Sequence, residues 1–236
     1  MGGTFPRGRY LVPNAFSAAN IVAGFVAMLA AAQGHFDTAV HLLVVAVLLD
    51  MADGRVARLL NATSKFGQEI DSFCDTVSFS TAPAFLAYQA CLEPLGPWGV
   101  AAAVTYLLAG VFRLARFNLT SDEHSKSSRT LGVPTPVGAG YLMVLVLMRD
   151  RVPAGWAAAL VVIMALLMVS TWRLPEIKGR NVVTAMLVIG VGNYFAILFK
   201  PGWPTVIWWN VWNALIVVAA MIQDRRSDEP ERAPAG

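Results

Sequence analysis

The chain has 236 residues, 56% hydrophobic and 14% charged, with a formal net charge of +3. A water-soluble domain carries more charge and less apolar mass, so this composition excludes an ordinary soluble protein and points to a membrane protein. The small, unevenly spread positive balance gives no footing for nucleic acid as a partner, and Cys74 and Cys91 form neither a metal-spaced set nor a disulfide framework.

Apolar stretches of membrane-spanning length, about 17–25 residues, recur along the chain. They fall near 13–33, 37–60, 69–91, 97–118, 134–149, 153–171, 181–200 and 203–222. The predicted fold is an all-α polytopic membrane protein of about eight transmembrane helices. Residues 1–223 form one transmembrane catalytic domain, and 224–236 a charged, disordered cytoplasmic tail. The first run, Leu11 to Ala32, follows Arg7 and Arg9, but it is too long for a signal peptide and is interrupted by Pro13-Asn14 and Asn20. It reads as a retained first span. Of the 18 lysines and arginines, 15 collect on one side of this topology and only Arg149, Arg151 and Lys200 on the other. The positive-inside rule then puts both termini on the cytoplasmic side.

The end of the second span and the start of the third carry the chemistry. Asp50 and Asp53 are spaced i, i+3, and Asp71 and Asp75 i, i+4, so each pair shares a helix face. Gly54 and Ala57 strip bulk from the first face, and Arg58 stands two turns beyond Asp50. Four carboxylates at a membrane edge are costly unless something positive binds them. Their density favours a hard divalent cation such as Mg²⁺ or Mn²⁺, and the Arg58 guanidinium suits phosphate oxygens. Simple pairing of these acids with Arg55, Arg58 and Lys65 fits poorly with two glycine-bearing faces.

Read as Asp-x2-Asp-Gly-x2-Ala-Arg-x8-Gly-x3-Asp-x3-Asp, residues 50–75 resemble the signature of the CDP-alcohol phosphotransferases. These are membrane enzymes that join a CDP-activated lipid or alcohol to a second alcohol. Pro13-Asn14-x-x-Ser17-x-x-Asn20 also resembles that family's start. The resemblance implies a six-helix core followed here by two C-terminal helices, and a homodimer. It implies two metals held by Asp50, Asp53, Asp71 and Asp75, with Asp75 also the general base. The CDP-lipid would be bound by Asn14, Ser17, Gly54, Ala57, Arg58, Ser64 and Gly67.

Two further stretches resemble the phosphatidylserine synthase branch: Asp71-Ser-x-x-Asp75-x-x-Ser78-Phe79, and Arg113-Leu-Ala-Arg116-Phe-Asn118 followed by Gly132-Val-Pro-Thr135-Pro. That likeness implies CDP-diacylglycerol and L-serine as substrates in a bacterial or archaeal cytoplasmic membrane, with the site at the cytoplasmic face. Arg113, Arg116 and Asn118 would bind serine or phosphate. Glycerol phosphate, inositol phosphate or choline as acceptor, and an archaeal-type ether-lipid donor, stay open. A cation transporter is disfavoured because the acids cluster at one interface, with no inverted repeat or midplane pair of broken helices.

Overall fold

The computed structural model describes residues 8–60, 65–121, 131–172, 192 and 195–228, with no β-strand among them. They divide into two compact units, Met1–His124 with Val133–Ser170, and Ser125–Gly132 with Thr171–Gly236. In the first unit α1 (Gly8–Ala32) and α2 (Phe36–Leu59) form a hairpin, and each has its most extensive packing with the other. Helix α3 (Lys65–Asp75) runs on through a π-helical stretch, Thr76–Thr81, into α4 (Ala82–Ala87) and a second π stretch, Tyr88–Leu92. Then come α5 (Pro97–Ser121), α6 (Thr135–Leu147) and α7 (Ala154–Val169). The second unit contains α8 (Trp203–Asp228).

The packing logic is that of a bilayer. Ala23, Ala27 and Ala31 recur every fourth residue on α1 and are buried, while Val22, Phe25, Val26 and Leu29 face outward. Small residues let helices approach closely, and large apolar ones turned outward suit a lipid solvent. Helix α5 repeats the scheme, with Ala102, Tyr106 and Ala109 buried and Val104, Leu108 and Phe112 exposed.

Both helices press on the first π stretch. A Cβ added at Gly24 would sit 2.6 Å from Ser78 Oγ, and one at Gly110 would sit 2.1 Å from Ser80 Oγ. Only glycine allows either approach. The Tyr106 hydroxyl donates to the Phe79 carbonyl (3.2 Å), so α5 is pinned to the same stretch. A π-helical turn inside a helix commonly marks a functional site, because the extra residue re-aims the side chains around it. At the opposite end of the unit Arg149 pairs with Asp37 (2.9 Å), joining the end of α6 to the start of α2.

The expectation of about eight spans is met in part. Among the described residues, two helices, Asn14–Ala32 and Pro97–Leu119, are both long and apolar enough to cross a membrane, with mean hydropathy 1.9 and 1.5. Helix α2 has the length, but it carries Asp37, Asp50, Asp53 and Arg55. The third expected span is broken in regularity by its two π stretches. Helices α6 and α7, of 13 and 16 residues, rise only about 20 and 24 Å against a hydrocarbon core of about 30 Å. Residues 181–191, 193 and 194 of the seventh expected span lie outside the described residues. Helix α8 continues to Asp228, past the expected start of the tail, because no helix breaker precedes Pro230.

Candidate active site

The four acids converge. Asp50 and Asp53 lie in the last turns of α2, where the helix leaves its apolar stretch, and Asp71 and Asp75 share the inner face of α3. One carboxylate oxygen from each of Asp50, Asp53 and Asp71 lies within 4.8 Å of the others. Asp75 is within hydrogen-bond reach of Asp50 and feels the charge of Asp71 and Asp53. Helix α1 supports the cluster from the side. Ser17 Oγ donates to Asp53 Oδ2 at 3.0 Å in a buried contact, fixing one carboxylate of the set.

Magnitude says what this arrangement needs. Two unit charges 4.8 Å apart repel by roughly 3–4 kcal/mol at an effective dielectric near 20. Three such pairs ionised together amount to on the order of 10 kcal/mol, as much as a whole domain's stability. A divalent cation removes that cost. An octahedral ion with ligands at 2.0–2.1 Å spans about 4.2 Å between opposite oxygens, so small side-chain adjustments suffice. Asp71 Oδ1 and Asp75 Oδ1 are also buried with no hydrogen-bond partner among the described residues, as metal-facing oxygens would be. The donor set therefore fits a hard cation.

The remaining expected residues divide. Gly54 is exposed, and a Cβ there would meet nothing within 4 Å, so the α2 face beside Asp53 is open to a ligand. Asn14, Ala57 and Gly67 are half-buried on the three helix ends that meet here. Arg58 closes α2, but its side chain lies outside the described residues, as does all of Ser64. Arg113 is buried and close enough to Asp75 to interact with its charge, and its Nε has no partner among the described residues.

Arg116 reaches α7. Its guanidinium donates to the carbonyls of Val169 (3.0 Å), Ser170 (3.1 Å) and Met168 (3.5 Å). These are the orphan acceptors at the α7 C-terminus, which a cationic fork satisfies well. Asn118 exchanges hydrogen bonds with Ser72 (3.0 and 3.2 Å), tying α5 to α3. It steadies the helix that bears Asp71 and Asp75.

Sequence reasoning gave no role to Asn20, Ser80 or Thr135, all buried with side-chain atoms that have no partner among the described residues. Asn20 and Thr135 stood in noticed motifs, but the burial that singles them out is a tertiary property.

Comparison with known proteins agrees with this geometry. The family model described as CDP-alcohol phosphatidyltransferase matches residues 10–173. A Helicobacter pylori protein named CDP-diacylglycerol–serine O-phosphatidyltransferase is 36% identical over 178 residues, covering 72% of this chain and 73% of its own. A Bacillus subtilis protein of the same name is 36% identical over 134 residues, 57% of this chain and 74% of its own. The archaetidylserine synthase of Methanothermobacter thermautotrophicus is 30% identical over 176 residues, 74% of this chain and 73% of its own.

Proposed function

The chain belongs to the CDP-alcohol phosphatidyltransferase family, and on that footing we propose that it transfers the phosphatidyl group of CDP-diacylglycerol to L-serine, giving phosphatidylserine and CMP. The observation that carries the reading is the convergence of the motif's four carboxylates, with Arg113 in electrostatic range of Asp75. In this reading Asp50, Asp53, Asp71 and Asp75 hold two divalent cations, Mg²⁺ or Mn²⁺. When bound, these would shield the diphosphate charge and stabilise the departing CMP.

The chain's own groups do the rest. The open face at Gly54 and Ala57 admits the diphosphate, with Asn14, Ser17, Arg58, Ser64 and Gly67 around it. Arg113 holds the serine carboxylate by charge-assisted hydrogen bonds. Asp75 takes the proton of the serine hydroxyl as its oxygen attacks the lipid-side phosphorus. The bond from that phosphorus to the CMP oxygen breaks, and CMP leaves with the electron pair. Holding both reactants in this geometry supplies much of the acceleration.

The reading further takes residues 1–223 as one catalytic domain that spans the bilayer, about eight helices in all, and works as a homodimer. The uneven spread of basic residues supports a cytoplasmic-face site in a bacterial or archaeal cytoplasmic membrane. A second donor is favoured by one observation, the similarity to the archaetidylserine synthase. Incubating the purified protein with labelled L-serine, Mn²⁺ or Mg²⁺ and either CDP-diacylglycerol or its ether-lipid counterpart tests both. Label in the lipid phase with the ester donor supports the primary reading. Label with the ether donor alone replaces it, and label with neither refutes the serine reading.

A further inference from the structure

The first π stretch has a cause within its own helix and a holder outside it. In an α-helix the Phe79 carbonyl accepts the N–H of residue 83, four positions on, but that residue is Pro83, which has none. In a regular helix the proline ring would also collide with that carbonyl. The backbone answers with wider turns. Ala82 N–H donates to the Val77 carbonyl, five residues back, and Thr81 Oγ1 reaches the Thr76 carbonyl (2.9 Å). The Phe79 carbonyl takes its donor from another helix, the Tyr106 hydroxyl of α5 (3.2 Å).

The packing of α5 brings Tyr106 to that carbonyl. Gly99, Ala103, Tyr106 and Gly110 follow one another at spacings of four and three, so they share a face of α5, and all are buried. Tyr106 is the one large side chain among them, and it is 0% exposed. The glycines seat that face on both π stretches: a Cβ at Gly110 would strike Ser80, and one at Gly99 the Leu92 carbonyl. Gly138 of α6 leaves room for the hydroxyl, since a Cβ there would lie 2.9 Å from it. From the other side, Ser78 Oγ donates to the Asn20 carbonyl of α1 (3.1 Å). Helix α1, which fixes Asp53 through Ser17, and helix α5 therefore grip adjacent residues of the same stretch.

We propose that Tyr106 is a positioning residue for Asp71 and Asp75, acting through the Phe79 carbonyl that Pro83 leaves without a helical donor. The proposal rests on the reading of those carboxylates as part of the reacting cluster, and it deepens that reading. Asp75 is the last α-helical residue before the stretch, and Phe79 stands one turn beyond it. Each residue turns an α-helix by about 100°. The extra residue of a π turn therefore decides which side of the helix Asp71 and Asp75 present relative to α4. With the Phe79 carbonyl held by Tyr106, that register is fixed. Without the hydroxyl a buried carbonyl loses its donor, and the stretch must shift to find another. The carboxylates of α3 then turn away from Asp50 and Asp53.

Tyr106→Phe, which removes one oxygen and keeps the ring, should lower kcat for CMP release about ten- to a hundredfold, the effect of misplacing a reacting group by up to about 1 Å. The KM values for serine and for the CDP-lipid should both stay within about twofold. Mn²⁺ binding, titrated without substrates by the paramagnetic resonance of the free ion, should weaken about tenfold, and the melting temperature should fall. Pro83→Ala supplies the missing N–H. Added to Tyr106→Phe, it should restore the melting temperature while kcat and Mn²⁺ affinity stay low, because the stretch closes towards an α-helix with the carboxylates turned. A merely structural tyrosine would let all three recover, and that result overturns the proposal. A double variant whose melting temperature stays low overturns it as well, since the two residues would not then share one carbonyl. So does wild-type kcat and Mn²⁺ affinity in Tyr106→Phe. Should Tyr106→Phe not fold, Pro83→Ala alone decides: low kcat and weak Mn²⁺ binding at an undiminished melting temperature support the proposal, and unchanged values overturn it. Wild-type protein that binds Mn²⁺ but releases no CMP with serine refutes the serine reading, and the Mn²⁺ titrations of the variants still decide the positioning. Serine-dependent wild type with indifferent variants refutes the positioning alone.

Discussion

Gly110→Ala tests the packing that sets the site. The new Cβ would lie 2.1 Å from Ser80 Oγ and 2.7 Å from Ser80 Cβ, with Met168 Cε at 3.3 Å. Carbon contacts settle at about 3.5–4.0 Å, so α5 and the π stretch must part by about 1 Å. Overpacking of this kind costs about 1–3 kcal/mol, or roughly 2–12 °C of melting temperature at about 2–4 °C per kcal/mol for a chain of this size. Arg113, one turn along, moves with the helix, and a displacement near 1 Å costs about a hundredfold in rate. Thermal unfolding in detergent and CMP release on the same preparation read both effects. Ser80→Gly added to Gly110→Ala removes the clash and should restore the melting temperature. A Gly110→Ala protein with wild-type melting temperature and wild-type kinetics would refute the close approach.

Asp71→Asn should lower CMP release at least about a hundredfold while raising the melting temperature of the metal-free protein, since it removes charge from a repelling cluster; calorimetry in chelator reads the second effect. Chelation of the wild-type protein should abolish activity, with recovery on adding Mn²⁺ or Mg²⁺ but not a monovalent salt. Arg116→Ala should destabilise the protein by about 1–3 kcal/mol through the uncapped α7 carbonyls without shifting the serine KM. Arg116→Lys should recover only part of it, lacking the planar fork.

The carboxylate cluster was legible in the chain because it is written in local spacing. The i, i+3 and i, i+4 pairs fix two faces, and the short separation of α2 and α3 in sequence leaves those faces little choice but to meet. The contact of Arg116 with α7 was not legible. Its spacing from Arg113 matches a shared face, while the α7 C-terminus, distant in sequence, offers its guanidinium three carbonyls. Hydropathy averages conceal backbone detail, such as the π stretches within the third expected span. The burial of Asn20, Ser80 and Thr135 was not legible, because only tertiary packing covers these polar side chains.

The central claim is that Asp75 deprotonates serine on a metal-loaded carboxylate cluster, and CMP release by Asp75→Asn tests it most directly. Wild type and variant would be run with CDP-diacylglycerol, Mn²⁺ and an acceptor panel of L-serine, glycerol 3-phosphate, inositol phosphate and choline. The account predicts serine-dependent CMP from the wild type and its loss, by at least about a hundredfold, from a variant that folds normally. Serine-dependent release at the wild-type rate from Asp75→Asn would contradict it.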